Sequence, residues 1–461
     1  MKRIVVIGGG IAGLAAAHRL QELAQGAVQV RLLEARDRAG GCIGTLRRDG
    51  LILEEGPDSI LTEKPWAVEL AQRLGIADRL VGTQDAHRRS FVVRRGRLRP
   101  TPDGFYLLAP ARLWPLLTSS IFSPLGKARM ALDLVLPRRK SEEDESVGSF
   151  VLRRLGREAL ERMAQPMIGG IYGADPMELS LQATFPRFLD MEREHGSVIR
   201  ALWAGIRQRK AQASGARYGL FVTFDDGLQV LVDALLERLP PDTVRTGCAV
   251  ERLQPDAGGW KIITAEGTET ADAVISALPA YRSSELMNAF DAGLAGRLRE
   301  IPYGASATVS LAYREADVPH DMDGFGFVVP DVEGFSILGC TFCHRKYPGR
   351  APQGIALLRS FHGSRTAMSS PDELVASTRK DLELLLGVRA QPLVVHTSRW
   401  PGSMPHYPVG HAALVADIEA KLAAHPNLAL AGNAYHGLGL PDCIRSGEVA
   451  AQDILQGLNV N

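Results

Sequence analysis

The sequence has few cysteines, almost no net charge and no long uninterrupted apolar run. Its 5 cysteines among 461 residues are too few, and odd in number, for a disulfide framework, which indicates a reducing compartment. The 53 Lys and Arg residues nearly cancel the 52 Asp and Glu residues, so the basic excess of nucleic-acid-binding proteins is missing and no nucleic-acid partner is expected. No window of about twenty apolar residues predicts a membrane-spanning helix. Three glycines break the apolar run after the basic start, so no secretory signal is expected.

The composition that remains is that of a globular protein with a substantial core. Hydrophobic residues make up 45% and charged residues 23% of the chain, and its length predicts two or three domains. The polar, small-residue segment 207–219 predicts an exposed loop. Alternating apolar patterns predict strands over 244–252, 260–264 and 273–278.

The first motif that indicates chemistry is a glycine loop near the amino end. A β-branched run over 3–7 leads into Gly8, Gly10 and Gly13, and a helical pattern follows. Gly8 permits a tight turn, Gly10 lets the backbone approach a pyrophosphate, and Gly13 lets helix and strand pack closely. Glu34 ends the next predicted strand, where its carboxylate can accept hydrogen bonds from a ribose diol. The combination predicts a dinucleotide site at a helix N-terminus.

Two later segments have the composition of a flavin-binding fold. The stretch 34–42 resembles the extension found in FAD folds of the glutathione-reductase type, with glycines that allow close approach and Arg36 or Arg38 available to pair with a diphosphate. The turn at Gly56–Ser59 lies beside the flavin ring in such folds. Near the carboxyl end, the strand and glycine turn of 428–442 predict a helix from about Cys443. A helix N-terminus there can polarise the flavin edge on which negative charge grows during reduction.

Residues 105–136 differ in character from the rest of the chain. Apolar and aromatic residues alternate there with prolines and basic residues, and Arg138, Arg139 and Lys140 follow. This pattern suits a helix that lies in a membrane interface with its basic side chains reaching out of the apolar layer. It suits equally a helical subdomain that packs on its own core.

Two smaller patterns predict structural roles. The CxxC pair Cys340 and Cys343 lies in an apolar, strand-like run, where redox or metal chemistry is not expected. His406 and His411 lie on a proline-flanked loop without convergent ligands, so no metal site is predicted.

Taken together, the motifs resemble the flavin-dependent protoporphyrinogen oxidases, with the coproporphyrinogen oxidases included, of the amine-oxidase-like FAD superfamily. The resemblance covers nearly the whole chain. The glycine loop GGGIAGLAAAHRL is shared across the superfamily, whereas GGIYGADPMELSLQATFPRF and DGFGFVVP are more specific. Further matching segments are MEREHGSVI, TFDDGLQVLVDAL, RWPGSMPHY and GNAYHGLGLPDCI.

The resemblance implies an α/β fold with three domains, two of them assembled from separate pieces of chain. A Rossmann-like FAD domain of the glutathione-reductase type is expected over 1–86, 206–282 and 399–461. A mixed-sheet substrate domain is expected over 87–104 and 283–398. A helical domain over 105–205 is expected to attach peripherally to the inner face of the cell membrane of a cytoplasmic protein. A homodimer is compatible with the resemblance.

The resemblance also implies the reaction. Protoporphyrinogen IX is oxidised to protoporphyrin IX in haem biosynthesis, with three molecules of oxygen taken up and hydrogen peroxide released. A meso C–H transfers a hydride to N5 of a non-covalently bound FAD, so no catalytic side chain and no metal are expected. The overall match favours protoporphyrinogen, with coproporphyrinogen III as the alternative substrate; the greater charge of the latter would need a more basic and more open pocket.

The family's binding residues carry over to matching positions of this sequence. The FAD positions are Gly8, Gly10, Gly13, Glu34, Ala35, Arg36, Gly41, Gly56, Ser59, Val250, Trp400, Gly432, Leu438, Gly439 and Leu440. The macrocycle positions are Val328, Thr341 and Phe361, each of which could also be ordinary strand core.

Two departures from the family pattern affect the site. Ser90 occupies the position where a basic residue usually binds a substrate propionate. The adjacent Arg89 could take that role, because a guanidinium holds a carboxylate bidentately, or it could lie in a solvated basic turn. Pro441 replaces the usual Asn near the flavin.

Two other functions share this architecture. An amine oxidase would often attach its flavin to a cysteine near the carboxyl end, where Cys443 lies. A Rab-escort-like binding protein would bind no flavin, but the intact glycine loop and Glu34 argue against it.

Overall fold

The computed structural model describes residues 1–212 and 219–460. Within these residues the chain forms the following strands: β1 (Lys2–Ile7), β2 (Val28–Leu33), β3 (Thr45–Arg48), β4 (Leu51–Glu54), β5 (Ile60–Leu61), β6 (Leu80–Gly82), β7 (Phe91–Arg94), β8 (Arg97–Pro100), β9 (Phe105–Tyr106), β10 (Ala109–Pro110), β11 (Phe221–Phe224), β12 (Val244–Arg245), β13 (Val250–Asp256), β14 (Gly259–Thr264), β15 (Gly267–Ala271), β16 (Ala273–Ser276), β17 (Tyr303–Arg314), β18 (Gly326–Val328), β19 (Gly339–Phe342), β20 (Ile355–His362), β21 (Val394–Pro405) and β22 (Leu428–Leu430).

The same residues form these α-helices: α1 (Ile11–Ala24), α2 (Trp66–Leu74), α3 (Leu113–Thr118), α4 (Pro124–Ala131), α5 (Val147–Arg154), α6 (Arg157–Ala159), α7 (Gln165–Tyr172), α8 (Leu181–Thr184), α9 (Pro186–His195), α10 (Val198–Gln212), α11 (Gln229–Arg238), α12 (Ala280–Met287), α13 (Ala292–Arg299), α14 (Cys343–Lys346), α15 (Pro371–Leu386), α16 (His411–Leu422) and α17 (Leu440–Gly457). A π-helical turn, Leu160–Ala164, joins α6 to α7.

A five-stranded parallel sheet of order β12-β2-β1-β16-β22 carries the glycine loop. Alternate residues of β1 enter different apolar clusters: Ile4 and Val6 pack with α1 and α17, whereas Val5 and Ile7 pack with α12 and α16. Both faces are therefore buried, which explains the continuous Ile/Val run of β1. Strands from three distant parts of the chain meet in this sheet.

A seven-stranded mixed sheet of order β21-β17-β20-β19-β18-β7-β8 contacts the turn after β4, where Arg359 donates to Gly56 O and Trp400 donates to Glu55 O. One face is apolar and packs under α15, where Leu382 and Leu385 join Val309, Phe342 and Leu358 in one buried cluster. The opposite face, called the polar face below, carries Thr341 and Arg359 together with the larger apolar Val328 and Phe361. Its Leu357 and Val394 pack on β4, and the part around Thr341 and Arg359 lines a small cavity.

The helical part of the chain has its own core, formed by α3 to α10 with Phe150 and Phe188 among its buried residues. The stretch 105–136 is not one continuous helix: it begins with the hairpin β9–β10 and continues as the short helices α3 and α4. Pro124 is the first residue of α4, a position that proline tolerates but that a helix interior does not offer, so no helix continues through it. Pro115 lies in the first turn of α3, and Pro110 ends β10. No helix in the two described ranges is both long and apolar enough to span a membrane.

Several local predictions need correction. The exposed loop predicted over 207–219 is helical up to Gln212, where α10 ends, and 213–218 lie outside the described residues. The strand predicted over 244–252 is interrupted between β12 and β13. The mixed α/β architecture is confirmed, whereas the exact domain boundaries and the membrane role of the helical part stay predictions.

Candidate active site

The glycine loop forms an open cradle at the N-terminus of α1. Gly8 has φ +106°, which favours glycine, and its N–H donates to Leu33 O at 2.8 Å. A Cβ on Gly13 would collide with Gly8 O, so this glycine allows α1 to cross β1 closely. A Cβ on Gly10 would meet nothing within 4 Å, and Gly10 begins α1 without a side-chain cap. The first N–H groups of α1 therefore face open space, as a phosphate-binding helix N-terminus requires.

Glu34 holds two loops of this cradle together. Its buried carboxylate accepts from Gly9 N–H at 2.6 Å and from Arg36 N–H at 2.9 Å, with one oxygen for each donor. Each carboxylate oxygen retains a further lone pair for a ribose hydroxyl. Ala35 and Arg36 lie exposed at the rim beyond it. Val250 begins β13 and packs, partly buried, in the cluster that contains Leu33.

The next loops bring Gly41, Gly56 and Trp400 towards one another. Gly40 N–H donates to Gly9 O at 2.8 Å, which places Gly41 beside the glycine loop. The Arg36 guanidinium lies 5.6 Å from the centre of the Trp400 ring. Trp400 Nε1–H donates to Glu55 O at 2.8 Å, directly before Gly56. The first sheet's loops and β21 of the second sheet therefore converge here.

The carboxyl-terminal helix supplies a second N-terminus at the same place. It begins at Leu440 rather than near Cys443, because Pro441 occupies the first turn, where its missing N–H costs nothing. Gly439 is the N-cap residue, and its N–H donates to the Asp442 carboxylate at 3.2 Å. Lys64 Nζ in turn contacts Asp442 at 2.6 Å. The departure from Asn at 441 is thus accommodated by the helix itself.

The turn that precedes this helix is held in place by a tyrosine that the sequence patterns did not single out. Tyr407 OH donates to Asn433 O at 2.6 Å and accepts from Gly437 N–H at 2.9 Å. Gly432 N–H donates to Ser446 Oγ at 3.0 Å, and Leu438 packs against the helical core. Tyr407 ends the matching segment RWPGSMPHY, but that match gives no signal for its role, since its partners lie 26 and 30 positions away.

The strand register places the three predicted macrocycle positions on one face of the seven-stranded sheet. Val328 pairs with Gly339, and Gly339 pairs with Phe361 on the next strand. Thr341 is two residues beyond Gly339 and therefore points to the same side. Gly339 has no side chain between Val328 and Phe361, and a Cβ there would collide with Phe327 O. The geometry brings these predicted residues together on the polar face.

Arg89 lies at the edge of that sheet and has a protein partner. Its Nη1 contacts Asp323 Oδ2 at 2.7 Å, and its side chain is exposed. His87 contacts the other oxygen of the same carboxylate at 3.1 Å. Any propionate contact by Arg89 would have to compete with Asp323.

A buried charge cluster lies between the polar face and the Gly56–Ser59 turn. Lys346 Nζ contacts both oxygens of Asp58, at 3.2 and 3.3 Å, and donates to Ser59 Oγ at 2.8 Å. Arg359 donates to Gly56 O and lies 3.8 Å from Asp58. Burial by itself would raise the pKa of Asp58, but Lys346 and Arg359 hold that pKa well below its usual range. The sequence signal for this cluster is Arg359 itself, a lone charge within the apolar strand ALLRSFH.

Cys343 borders the same small cavity as Asp58 and Arg359, whereas Cys340 packs into the apolar cluster under α15. Cys340 is in β19 and Cys343 begins α14; burial raises the pKa of Cys340 to about 12 and that of Cys343 to about 11. His411 stacks on Tyr407 with ring centres 3.9 Å apart, and burial lowers its pKa to about 4. Over the described ranges, no three His, Cys, Asp or Glu side chains form a metal-binding group.

These features fit a bound FAD. The open space over Gly10, the uncapped N-terminus of α1 and the buried Glu34 suit the dinucleotide part. Trp400, Gly56 and the α17 N-terminus surround the place where the ring would lie. When bound, the flavin supplies the acceptor for a hydride removed from a C–H bond.

Comparisons with known proteins agree with this site. The profile of the family described as flavin containing amine oxidoreductase matches residues 11–455. A coproporphyrinogen III oxidase of Bacillus subtilis (strain 168) is 34% identical over 98% of this chain and 98% of its own length. A chloroplastic protoporphyrinogen oxidase of Nicotiana tabacum is 30% identical over 98% of this chain and 85% of its own length.

A solved structure shows the same fold. It is a protein of Exiguobacterium sp. 255-15, provisionally named a protoporphyrinogen oxidase, with a TM-score of 0.88 and 31% identity over 99% of both chains. The chain belongs to the flavin-containing amine oxidoreductase family and, within it, to the porphyrinogen oxidases, and it is an FAD-dependent oxidoreductase.

Proposed function

We propose that the protein oxidises coproporphyrinogen III to coproporphyrin III, with FAD as cofactor and molecular oxygen as electron acceptor. The observation that carries this choice is the higher identity to the bacterial coproporphyrinogen III oxidase, 34% against 30% for the tobacco protoporphyrinogen oxidase, together with its fuller coverage. This reverses the preference for protoporphyrinogen that the sequence motifs suggested. Protoporphyrinogen IX remains the second candidate.

Basic residues near the macrocycle face support a substrate with four carboxylates. Val92 pairs with both Val328 and Arg99, so Arg94 and Arg99 lie on the Val328 side of the sheet. The pKa of Arg94 is lowered, first by its partial burial and then by the positive charge of Arg162 and of the other arginines near Arg94. Such a concentration of positive charge favours a polyanionic substrate.

The residues of the site would act by binding and orientation. Phe361, Thr341 and Val328 provide a half-buried wall for the macrocycle and exclude water from it. Each cycle removes a hydride from a meso carbon and a proton from the macrocycle, and oxygen is reduced to hydrogen peroxide. Three cycles consume three molecules of oxygen and give the conjugated porphyrin.

The substrate assignment is tested by following porphyrin fluorescence in air with both porphyrinogens side by side. We expect kcat/KM to be at least about tenfold higher for coproporphyrinogen III, which corresponds to about 1.4 kcal/mol. Arg94→Gln should reduce kcat/KM for coproporphyrinogen III more than for protoporphyrinogen IX, whereas the exposed Arg88→Gln should change neither. A preference for protoporphyrinogen IX would reject the substrate choice, and no fluorescence from either with flavin bound would reject porphyrinogen oxidation.

We further propose that the FAD is bound non-covalently. Cys443, the one cysteine close to the carboxyl-terminal glycine turn, is buried, and burial raises the pKa of its thiol well above the usual range. A neutral thiol is a poor nucleophile for attachment to the flavin. Acid precipitation should leave the flavin in the supernatant, and flavin retained in the pellet would contradict this proposal.

Finally, we propose peripheral contact with an anionic bilayer surface at the inner face of the cell membrane. Trp114, Leu125 and Val135 are 75%, 84% and 75% exposed, and Leu117 and Leu132 lie exposed near them. Exposed basic residues, Arg112, Arg138 and Lys140, flank this apolar group. The combination suits insertion into the headgroup region of anionic lipid.

Co-sedimentation with vesicles of phosphatidylglycerol and phosphatidylcholine tests the membrane proposal. The double variant Trp114→Ser, Leu125→Ser should lose most of the bound fraction. Leu384→Ser, which changes an exposed leucine of α15, is the matched control and should bind normally. Equal binding by the double variant and the wild type would reject this surface, and sedimentation analysis of the same samples would show whether the predicted homodimer forms.

A further inference from the structure

The guanidinium of Arg359 has hydrogen-bonding capacity that the protein does not use. Its side chain is 2% exposed, yet neither Nε nor Nη1 has a hydrogen-bond partner among the described residues. Its Nη2 donates to Gly56 O, and its charge centre lies 5.2 Å from the Phe361 ring. Because buried donors without acceptors are costly, this arrangement points to an acceptor supplied from outside the chain.

The charges around Arg359 leave a positive excess. Asp58 is bonded to Lys346, and Glu54 lies 3.7 Å from Arg350, so these two carboxylates already have cationic partners. Glu55, the remaining carboxylate of the turn, pairs with Arg38 at 3.2 Å. The three cations of residues 346, 350 and 359 therefore face two carboxylates, which leaves one positive charge in excess. Arg359 shares Asp58 with Lys346, at 3.8 Å from Nη1, and makes no hydrogen bond to it.

The position of the excess positive charge favours an interaction with the flavin over an interaction with the substrate. Arg359 holds the carbonyl of Gly56, and Ser59 of the same turn is bonded to Lys346. Arg359 pairs with Ser310 and with Thr341 on the neighbouring strands, which places it on the polar face. It precedes Phe361 by two residues in β20, so the two side chains point to the same side of the sheet. Arg359 therefore lies beside Thr341 of the macrocycle wall and contacts the turn that carries the predicted flavin positions Gly56 and Ser59.

We propose that Arg359 stabilises the negative charge that reduction adds to the flavin ring, and so raises the flavin's reduction potential. In a buried site a fixed positive charge acts strongly, because little solvent screens it. Asp58 and Lys346 hold the guanidinium and its turn in place. This inference rests on flavin binding alone and is independent of which porphyrinogen is oxidised.

Potentiometric titration of the purified flavoprotein, without any porphyrinogen, tests the proposal. Arg359→Met should lower the equilibrium constant for flavin reduction at least tenfold, which is a midpoint potential about 30 mV more negative for a two-electron couple. It should also weaken sulfite binding at least tenfold, since sulfite addition likewise places negative charge on the ring. Arg359→Lys keeps the charge and should restore most of both properties.

Two further variants keep the test decisive. Arg345→Met removes a neighbouring arginine that pairs with Glu315 and should leave the potential unchanged. Asp58→Asn removes negative charge beside Arg359 and should move the potential in the positive direction, even if Arg359→Met fails to fold. An unchanged potential in Arg359→Met, or a negative shift in Asp58→Asn, would overturn the proposal, and a rise in substrate KM alone would assign Arg359 to the substrate instead.

Discussion

At the scale of single residues, the three glycines of the loop have different physical roles. Gly13 is required by packing, because a Cβ there would collide with Gly8 O. Gly10 is not required by packing, since its φ of −69° is open to any residue and a Cβ would meet nothing. Packing of the fold therefore does not require a glycine at position 10, and the open space above it is available to a ligand.

This difference predicts opposite behaviour for two alanine substitutions. Gly10→Ala should fold with a free energy of unfolding within about 0.5 kcal/mol of the wild type but should bind FAD at least about tenfold more weakly, because its methyl group occupies the phosphate space. Gly13→Ala should be destabilised by roughly 1–3 kcal/mol through overpacking of α1 on β1. Urea unfolding of the FAD-free proteins and fluorescence titration with FAD measure the two effects separately. Normal FAD affinity in Gly10→Ala would show that the cradle does not hold the pyrophosphate.

Residues that act through sequence neighbours were predictable, and those that act through distant partners were not. Glu34 follows from its spacing behind the glycine loop, and its bonds to Gly9 and Arg36 lie within that local unit. Lys346 meets Ser59 across 287 positions, so no local pattern reveals the pair. Charge clusters of this kind depend on how strands are ordered in space, which composition does not encode.

At the scale of elements, the chain between α4 and α5 is anchored by a buried ion pair. Arg154 and Asp133 are fully buried, and Arg154 Nε donates to Asp133 Oδ1 at 2.6 Å. Arg154 also donates to Pro137 O at 3.1 Å and to Gly196 O at 2.8 Å, which joins the turn after α4 to the start of α10. One side chain thus fixes three segments of the helical part.

Loss of this anchor should destabilise the helical part strongly. Arg154→Met leaves the Asp133 carboxylate buried without its cation, for which a cost of about 3–5 kcal/mol is typical. Asp133→Leu in the Arg154→Met background should recover part of the loss, because both charges of this pair are then gone and Glu192, the other carboxylate beside Arg154, keeps Arg153 as its cation. Urea denaturation followed by circular dichroism measures the effect, with the 83% exposed Arg157→Met as the control. A loss below about 1 kcal/mol would show that the ion pair does not anchor the region.

Element boundaries departed from the sequence pattern where capping chemistry or tertiary contacts decided them. The last helix starts three residues before Cys443 because Pro441 fits its first turn and Gly439 caps it. The stretch after 105 forms a hairpin before any helix, since Leu108, Ala109 and Ala111 pack into the helical core. Periodicity alone detects neither effect.

At the scale of the whole molecule, the order of strands in the central sheet could not be read from local patterns. β16 lies beside β1 and β22 lies beside β16, although the chain reaches these strands only after about 270 and 425 residues. Each predicted strand of this sheet exists, but pairing between distant strands depends on burial of both faces. The resemblance to a known family, and not periodicity, supplied the discontinuous assembly.

Burial of neutral histidines makes the stability of the whole molecule dependent on pH. Burial is the main reason that the pKa values of His344, His362 and His411 are each lowered to about 4. The unfolded chain has histidine pKa values near about 6.5, so between the two values it binds more protons than the folded state. Stability from these groups is therefore complete above pH ~6.5 and is lost as the pH falls towards ~4. The raised carboxyl pKa values of Glu54 and Glu448 act in the opposite direction.

His362 offers the clearest test, because it is 1% exposed and its Nε2 lies 2.8 Å from Thr378 Oγ1 of α15. Between pH 7 and 5 the contribution of His362 should lower the free energy of unfolding by about 2 kcal/mol. The reason is that the unfolded state takes up a proton at this residue over that range and the folded state does not. His362→Gln should therefore show a shallower fall in the free energy of unfolding over this range, whatever its stability at pH 7. His436→Gln, at an exposed histidine, should keep the wild-type slope. Parallel slopes for His362→Gln and the wild type would mean that His362 takes up its proton in the folded state, and the β20–α15 contact would then have to accommodate an imidazolium beside Thr378.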